Sequence, residues 1–327
     1  MAAPGASAGR LMARRALGPA TLAMVAAIER IHGGEDVLVA CSGGADSLAL
    51  AHGVRLAARR SDFAARAVVV DHGLQGGSAA HAEVVAAGLD QAGLPAQVVT
   101  VRVDADGSGP EAAAREARYR ALSDVRRPGE VCYLGHTRDD QAETVLLGLA
   151  RGSGLRSLAG MAQRRDGFAR PLLDLPRATT RECCRELGLA WWDDPHNTER
   201  RFTRVRVREA VLPVLERELG PGVAEALART AALAREDADA LDELAAAVQA
   251  PDELPCVVLE QLPAALRQRV LRRWLLSQGA TEVNRGHTLA VAELVIGWRG
   301  QRWVEVPGVR VVRRDGLLVA LPPAGVE

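Results

Sequence analysis

Four short apolar runs, Val37–Ala40, Ala67–Val70, Gln97–Val103 and Val131–Leu134, alternate with segments of helical period near Asp46–Arg60, Ser78–Ala92, Pro110–Arg126 and Asp139–Leu149. Few folds are open to a chain that repeats strand and helix in this order. Right-handed crossovers lay the strands side by side in parallel, with helices on both faces. The nearly continuous apolar character of the runs suits strands buried on both sides. The pattern predicts an α/β fold with a doubly wound, mostly parallel sheet.

In such sheets ligands bind beyond the carboxyl ends of the strands. Those ends read Cys41-Ser42-Gly43-Gly44, Asp71-His72-Gly73, Asp104 and Gly135-His136. Small and polar residues therefore gather on one edge. The densest is SGGADS, Ser42 to Ser47. Two glycines let the backbone turn sharply and approach a ligand closely. The helix that follows offers free N–H groups and the positive end of its dipole to an anion, and Ser42 and Ser47 add hydroxyls. Asp46 fits a phosphate site if a divalent cation bridges it to the phosphate, which points to Mg²⁺. Spacing alone leaves a second reading open, a capped helix after a glycine turn. Neither GxxxxGK[ST] nor GxGxxG is present.

No lysine occurs: all 41 basic residues are arginine, against 41 acidic ones. A Schiff-base or Walker-type lysine is thereby excluded. The zero formal net charge gives no global pull on a polyanion. Five cysteines, with no CxxC, argue for a reducing compartment and against a disulfide framework or a structural zinc site. The expected location is cytoplasmic, and no run of 18 apolar residues predicts a membrane span. Residues 1–18 read as a disordered leader before an amphipathic helix at about Pro19–Ile31.

Between Arg164 and Arg217 lie 12 arginines and 9 acidic residues, with five of the arginines in Arg200–Arg208. An acidic, Ala-rich helical stretch follows from Glu218 to Ala250, then helices carrying Leu266–Trp274 and Thr288–Trp298. The last thirty residues alternate as short strands around Pro307-Gly308 and Asp315-Gly316. This places a catalytic domain at 1–217 and a smaller, mainly helical domain with short C-terminal strands at 218–327. The oligomeric state stays open, a homodimer included.

Two further helical faces carry charge. Glu111, Arg115, Arg118 and Leu122 follow one face, as do His136, Asp140, Glu143 and Leu147 just after a strand end. The first is either an internally paired, solvated face or an anion contact. The second, with two carboxylates and a histidine, suits a cation, whether a metal or an amine.

Strand–SGGxDS–helix resembles the PP-loop of the ATP pyrophosphatase superfamily, whose members cleave ATP to AMP and pyrophosphate. VVVDHGL (Val68–Leu74), EAAAREARYRAL (Glu111–Leu122), LGHTRDDQAETVLLGLARGSGLRSLAGM (Leu134–Met161), RPLLDLPR (Arg170–Arg177) and WWDDPHNTERRFTRVRVREAVLP (Trp191–Pro213) resemble tRNA(Ile)-lysidine synthetase in order and spacing. The resemblance implies an adenine nucleotide alpha-hydrolase-like fold and a ligase. Such an enzyme adenylates the wobble cytidine of an isoleucine tRNA with a CAU anticodon, using ATP and Mg²⁺, and free lysine then attacks the activated base. It assigns Ser42, Gly43, Gly44, Ala45, Asp46, Ser47, Asp71 and Arg115 to ATP, and Asp46 also to Mg²⁺. Asp140 and Glu143 go to lysine, and Arg118, Arg200, Arg201 and Arg204 to tRNA. Asp46, His136, Asp140 and Arg208 are the implied catalytic residues, and the second domain is expected to bind tRNA. Trp191 and Trp192 read either as base-stacking or as core residues.

Two positions depart from the family pattern: Gln75 follows DHGL where Arg is usual, and Val205 stands where Asn is usual. A tRNA thiolase is the alternative PP-loop enzyme, but its sulfur chemistry calls for CxxC pairs. A nucleotide-binding regulator would not need Asp140 and Glu143.

Overall fold

The computed structural model describes residues 17–71, 73, 77–101, 110–152, 154–193 and 199–323. Residues 1–16 of the expected leader, His72, Leu74, Gln75, Asp104, Ser153 and residues 194–198 lie outside the described residues. The chain divides into two compact units, Met1–Ala231 and Ala232–Glu327.

The first unit runs α1 (Pro19–Ile31), β1 (Val37–Ala40), α2 (Ala45–Ser61), β2 (Ala65–Asp71), α3 (Ser78–Gln91), β3 (Ala96–Thr100), α4 (Pro110–Val125), β4 (Val131–Leu134) and α5 (Arg138–Ala150). A short α6 (Leu155–Leu158), a hairpin β5 (Arg164–Arg165) and β6 (Phe168–Ala169), and α7 (Arg177–Glu186) follow. Then come α8 (Thr203–Arg206), a π-helical turn at Val207–Val211, and α9 (Leu212–Leu219). The strand expected at Gln97–Val103 is shorter and ends at Thr100.

The sheet order is β3-β2-β1-β4-β6-β5. Every pairing is parallel except that of β5 with β6. Strand alternation assigns the two faces. Val37, Val39 and Cys41 pack with Met24, Ile28, Leu50 and Cys184 from α1, α2 and α7. Leu38, Val68, Cys132 and Leu134 pack with Tyr119 and Leu122 of α4. The chain order reverses at β1, between β2 on one side and β4 on the other. That is the switch point where a ligand crevice opens in doubly wound sheets.

The second unit begins within α10 (Val223–Ala247) and adds β7 (Leu254–Pro255), α11 (Cys256–Gln261), α12 (Ala264–Ser277), α13 (Arg285–Ile296), β8 (Val304–Val306), β9 (Val309–Arg314) and β10 (Leu317–Leu321). Its strands form an antiparallel sheet in the order β7-β10-β9-β8. The core is Trp274, Leu271, Leu259, Val291, Leu294 and Val311. The unit is mainly helical with short C-terminal strands, as the sequence predicts, and the two-residue β7 completes its sheet.

Candidate active site

The Ser42–Ser47 loop joins β1 to α2. Gly43 has φ +82°, a conformation that costs a side chain dearly, and a Cβ there would sit 2.7 Å from His81 and Val85. The loop holds itself in shape. Ser47 Oγ accepts from the Ser42 backbone N–H at 3.0 Å and donates to the Gly44 carbonyl at 2.9 Å. The Ser47 hydroxyl therefore braces the loop. Trp192 clamps the same loop, its backbone N–H donating to Gly43 O at 3.0 Å while its ring packs on His81 at 4.3 Å. Trp191 packs against the core. Asp71 is buried at the end of β2 and accepts from Gly73 N–H at 3.0 Å.

Asp46 sits in the first turn of α2. Its carboxylate accepts from the Thr180 hydroxyl and faces Arg177 Nε at 3.5 Å. Burial raises its pKa against the opposing pull of Thr180 and Arg177. A carboxylate beside a phosphate cradle fits Mg²⁺, which takes one or two carboxylates and completes its shell with phosphate oxygens and water. Among the described residues no group of three or more His, Cys, Asp or Glu side chains could hold a metal by itself.

Across the sheet edge, β4 ends in Gly135-His136 and α5 begins. Asp140 Oδ2 accepts from both the Thr137 N–H and hydroxyl, each at 2.8 Å, which caps α5. Asp139 accepts from the Arg177 backbone N–H of α7 at 2.8 Å. Glu143 is fully buried. Three arginines close on these carboxylates. Arg177 reaches Asp140 at 2.8 Å and Glu143 at 3.4 Å. Arg208 lies 2.7 Å from Glu143 and 3.4 Å from Asp140. Arg204 lies 3.7 Å from Glu143 and donates to Thr144 Oγ1 at 3.1 Å. Burial is the largest single influence on Asp140 and opposes its ionisation, but Arg177, His136 and the two Thr137 hydrogen bonds together outweigh it and hold the carboxyl below its ordinary range.

Arg208 is carried on the π-helical turn, a feature that interrupts an α-helix mostly at functional sites. Arg177 and Thr180 had no assigned role in the sequence reading. The signal was Arg177 itself, the last residue of RPLLDLPR and the first of α7. Arg204, expected to contact tRNA, is drawn into the carboxylate cluster. Arg200 is exposed, and Arg201 pairs with Glu199 at 2.5 Å and lies over Phe202. Val205, which stands where the family pattern has Asn, is buried.

His136 is pushed down to about 3, first by burial and then by Arg118, Arg170 and Arg115, against the pull of Asp140. On α2, His52 is pushed down to about 4 by burial and Arg55. Both are neutral when folded. Above about pH 6.5 the unfolded chain is neutral at these positions too, so they contribute nothing. Below it the unfolded chain takes up protons that the folded chain refuses, and stability falls as pH drops from about 6.5 to 5, by up to about 1.4 kcal/mol per unit per histidine. Thermal melts across that range should show the decline, and His52→Gln should make it shallower. A flat melting temperature would contradict these placements.

Comparison with known proteins now bears on the site. Residues 21–215 match a family model described as a PP-loop domain, and residues 254–319 match one described as a TilS substrate binding domain. A tRNA(Ile)-lysidine synthase from Leifsonia xyli is 52% identical over 298 residues, covering 88% of this chain and 90% of its own. One from Thermobifida fusca is 52% identical over 305 residues, covering 90% and 94%. The chain belongs to the tRNA(Ile)-lysidine synthase family. It is accordingly an enzyme built on an ATP-using PP-loop domain. A U34-tRNA thiolase from Methanococcus maripaludis has the same fold, with a TM-score of 0.55 over 65% of this chain and 77% of its own at 17% identity. The thiolase likeness shows the fold alone, whereas the synthases share half their residues with this chain. Among the described residues no helix is long and apolar enough to cross a membrane.

Proposed function

We propose that the enzyme uses ATP to adenylate the wobble cytidine of isoleucine tRNA bearing a CAU anticodon, and joins free lysine to it with release of AMP and pyrophosphate. The observation that carries this reading is the meeting of two half-sites through one residue. Arg177 touches Asp46 on the phosphate side and Asp140 and Glu143 on the other. A nucleotide end and an amine end therefore share one crevice.

The Ser42–Ser47 loop and the start of α2 hold the ATP phosphates, and Asp46 is the residue that would hold Mg²⁺. Bound Mg²⁺ would neutralise charge as pyrophosphate leaves. The cytidine oxygen bonds to the α-phosphorus and the bond to pyrophosphate breaks. A lysine amine then attacks the activated carbon, and AMP departs with the oxygen. Neutral His136 has a buried Nδ1 free to accept a hydrogen bond from the incoming amine.

Beside the carboxylates a cavity of about 200 Å³ is lined by Glu143, Arg177, Arg208, Leu212, Pro213 and Glu216. Apolar Leu212 and Pro213 suit a methylene chain, the carboxylates an ammonium and the guanidinia a carboxylate. Asp140 and Glu143 are already compensated by arginine, so a lysine ammonium enters by displacing a guanidinium. Arg208, on the π-helical turn, is the one carried by an irregular segment.

The domain roles follow: catalysis in the first unit, tRNA binding by the second, in the cytoplasm.

The test separates the two steps. With α-labelled ATP and no lysine, the wild type should leave label on the tRNA, and a lysine chase should release it as AMP. Asp46→Ala should abolish the labelling. Glu143→Gln should keep most of it while the chase slows at least tenfold. Equal loss of labelling in both variants would refute the division of roles.

A further inference from the structure

Three arginines gather on the face of the sheet covered by α4, away from the charge cluster of the carboxylates. Arg115 and Arg118 come from α4, and Arg170 follows β6. Arg115 Nη2 and Arg170 Nη2 both donate to the Tyr119 hydroxyl, at 3.4 and 3.3 Å. The guanidinium carbons of Arg115 and Arg118 lie 5.0 and 5.7 Å from the Tyr119 ring centroid. Arg170 is only 8% exposed and otherwise donates to Ala162 O at 2.9 Å. Within this group, Arg118 Nε and Arg170 Nε are buried without a hydrogen-bond partner.

No carboxylate of the described residues is ion-paired with any of the three. Asp140 bears on the neighbouring His136, and Arg177 and Arg208 already engage that carboxylate. Each buried donor left unmade costs about 1–3 kcal/mol, and like charges in one cluster add repulsion. Burial would raise the Tyr119 phenol, yet Arg115, Arg170 and Arg118 together bring it below its ordinary value, which registers the excess positive field. A stable fold keeps such a cluster where an anion completes it.

We propose that Arg115, Arg118 and Arg170 form a pocket for a backbone phosphodiester of the RNA, gripping the strand beside the nucleotide that is modified. This deepens the proposed function and rests on its RNA substrate. The ATP phosphates already have a cradle in the β1–α2 loop, whose helix packs on the opposite face of the sheet. Arg115 is exposed, so the pocket opens to solvent, where a polymer backbone arrives. The family resemblance implies Arg115 for ATP and Arg118 for tRNA. Their shared contact with Tyr119 assigns both to one ligand.

The test measures binding of the full chain to a CAU tRNA transcript, without lysine or turnover, from about 50 to 300 mM salt. Arg115→Gln and Arg118→Gln should each weaken binding about tenfold and reduce the slope of log K against log salt by about one. Affinity for a non-hydrolysable ATP analogue, read by calorimetry, should stay within about twofold. An unchanged salt slope with a tenfold weaker ATP analogue would give the pocket to the nucleotide and overturn the proposal. No change in either would overturn it as well. If Arg118→Gln fails to fold, the exposed Arg115→Gln decides. Loss of transcript binding by the wild type itself would overturn the functional reading, an outcome distinct from a failure of the variants alone.

Discussion

Arg177→Gln is expected to lower the stability of the first unit by about 3 kcal/mol and to reduce tRNA modification at least 100-fold. Asp140 and Glu143 are buried carboxylates that Arg177 meets at 2.8 and 3.4 Å, and Asp46 is a third at 3.5 Å. Removing one partner of a buried ion pair typically costs about 3–5 kcal/mol, because a charge remains without compensation. Arg208 and Arg204 still hold Glu143, which keeps the expected loss at the lower end. For a unit of this size that corresponds to a melting temperature lower by roughly 6–12 °C. Arg177→Lys should recover little. One ammonium cannot serve three carboxylates with the geometry of a planar guanidinium. Thermal melts and initial rates of both variants check this. A melting temperature within about 2 °C of wild type would mean that the carboxylates do not depend on Arg177.

The second large effect concerns a glycine outside the PP-loop. Gly135 ends β4, and a Cβ there would stand 3.1 Å from the Asp46 carbonyl carbon and oxygen and from the Ser47 nitrogen. These are backbone atoms at the start of α2, so no side chain can turn aside to make room. Gly135→Ala must push the first helical turn away by a few tenths of an ångström. That turn is the proposed phosphate cradle, and catalytic sites lose rate steeply when their geometry shifts. The expected result is ATP affinity weakened about 10- to 100-fold, with the fold retained. Gly88→Ala is the matched control. It lies inside α3, where a Cβ meets nothing within 4 Å, and should stabilise by about 0.5–1 kcal/mol through helix propensity. Calorimetric titration with an ATP analogue distinguishes the two variants. Unchanged affinity in Gly135→Ala would show that the close approach at the strand end has no bearing on the cradle.

Much of the catalytic unit is legible in the sequence because its signals are local. Val37–Ala40 followed by Ser42–Ser47 reads as strand, turn and helix start within fourteen residues. Asp140 and Glu143 share a face of α5 by spacing alone, whereas His136, expected on that face, precedes the helix, which starts at Arg138 after the Thr137 cap. The convergence of Asp46, Asp140, Glu143, Arg177 and Arg208 is not local. It joins α2, α5, α7 and the π-helical turn across more than 160 positions, and no periodic signal spans that distance. The role of Ser47 was hidden for a different reason. A serine's letter does not say that its hydroxyl braces its own loop, and the 2.9 Å bond to Gly44 O shows that it does. Arg204 shows the same limit, since a basic run reads alike whether it faces RNA or a buried Glu143.

The central claim is that ATP and lysine act on one tRNA in this crevice. Its most direct test incubates the wild-type protein with ATP, Mg²⁺, labelled lysine and an isoleucine tRNA transcript bearing CAU. The account predicts about one lysine incorporated per transcript, with AMP and pyrophosphate in equal amount and none of these when the wobble cytidine is replaced. Pyrophosphate release without lysine entering the RNA, or equal labelling of a transcript lacking that cytidine, would contradict it.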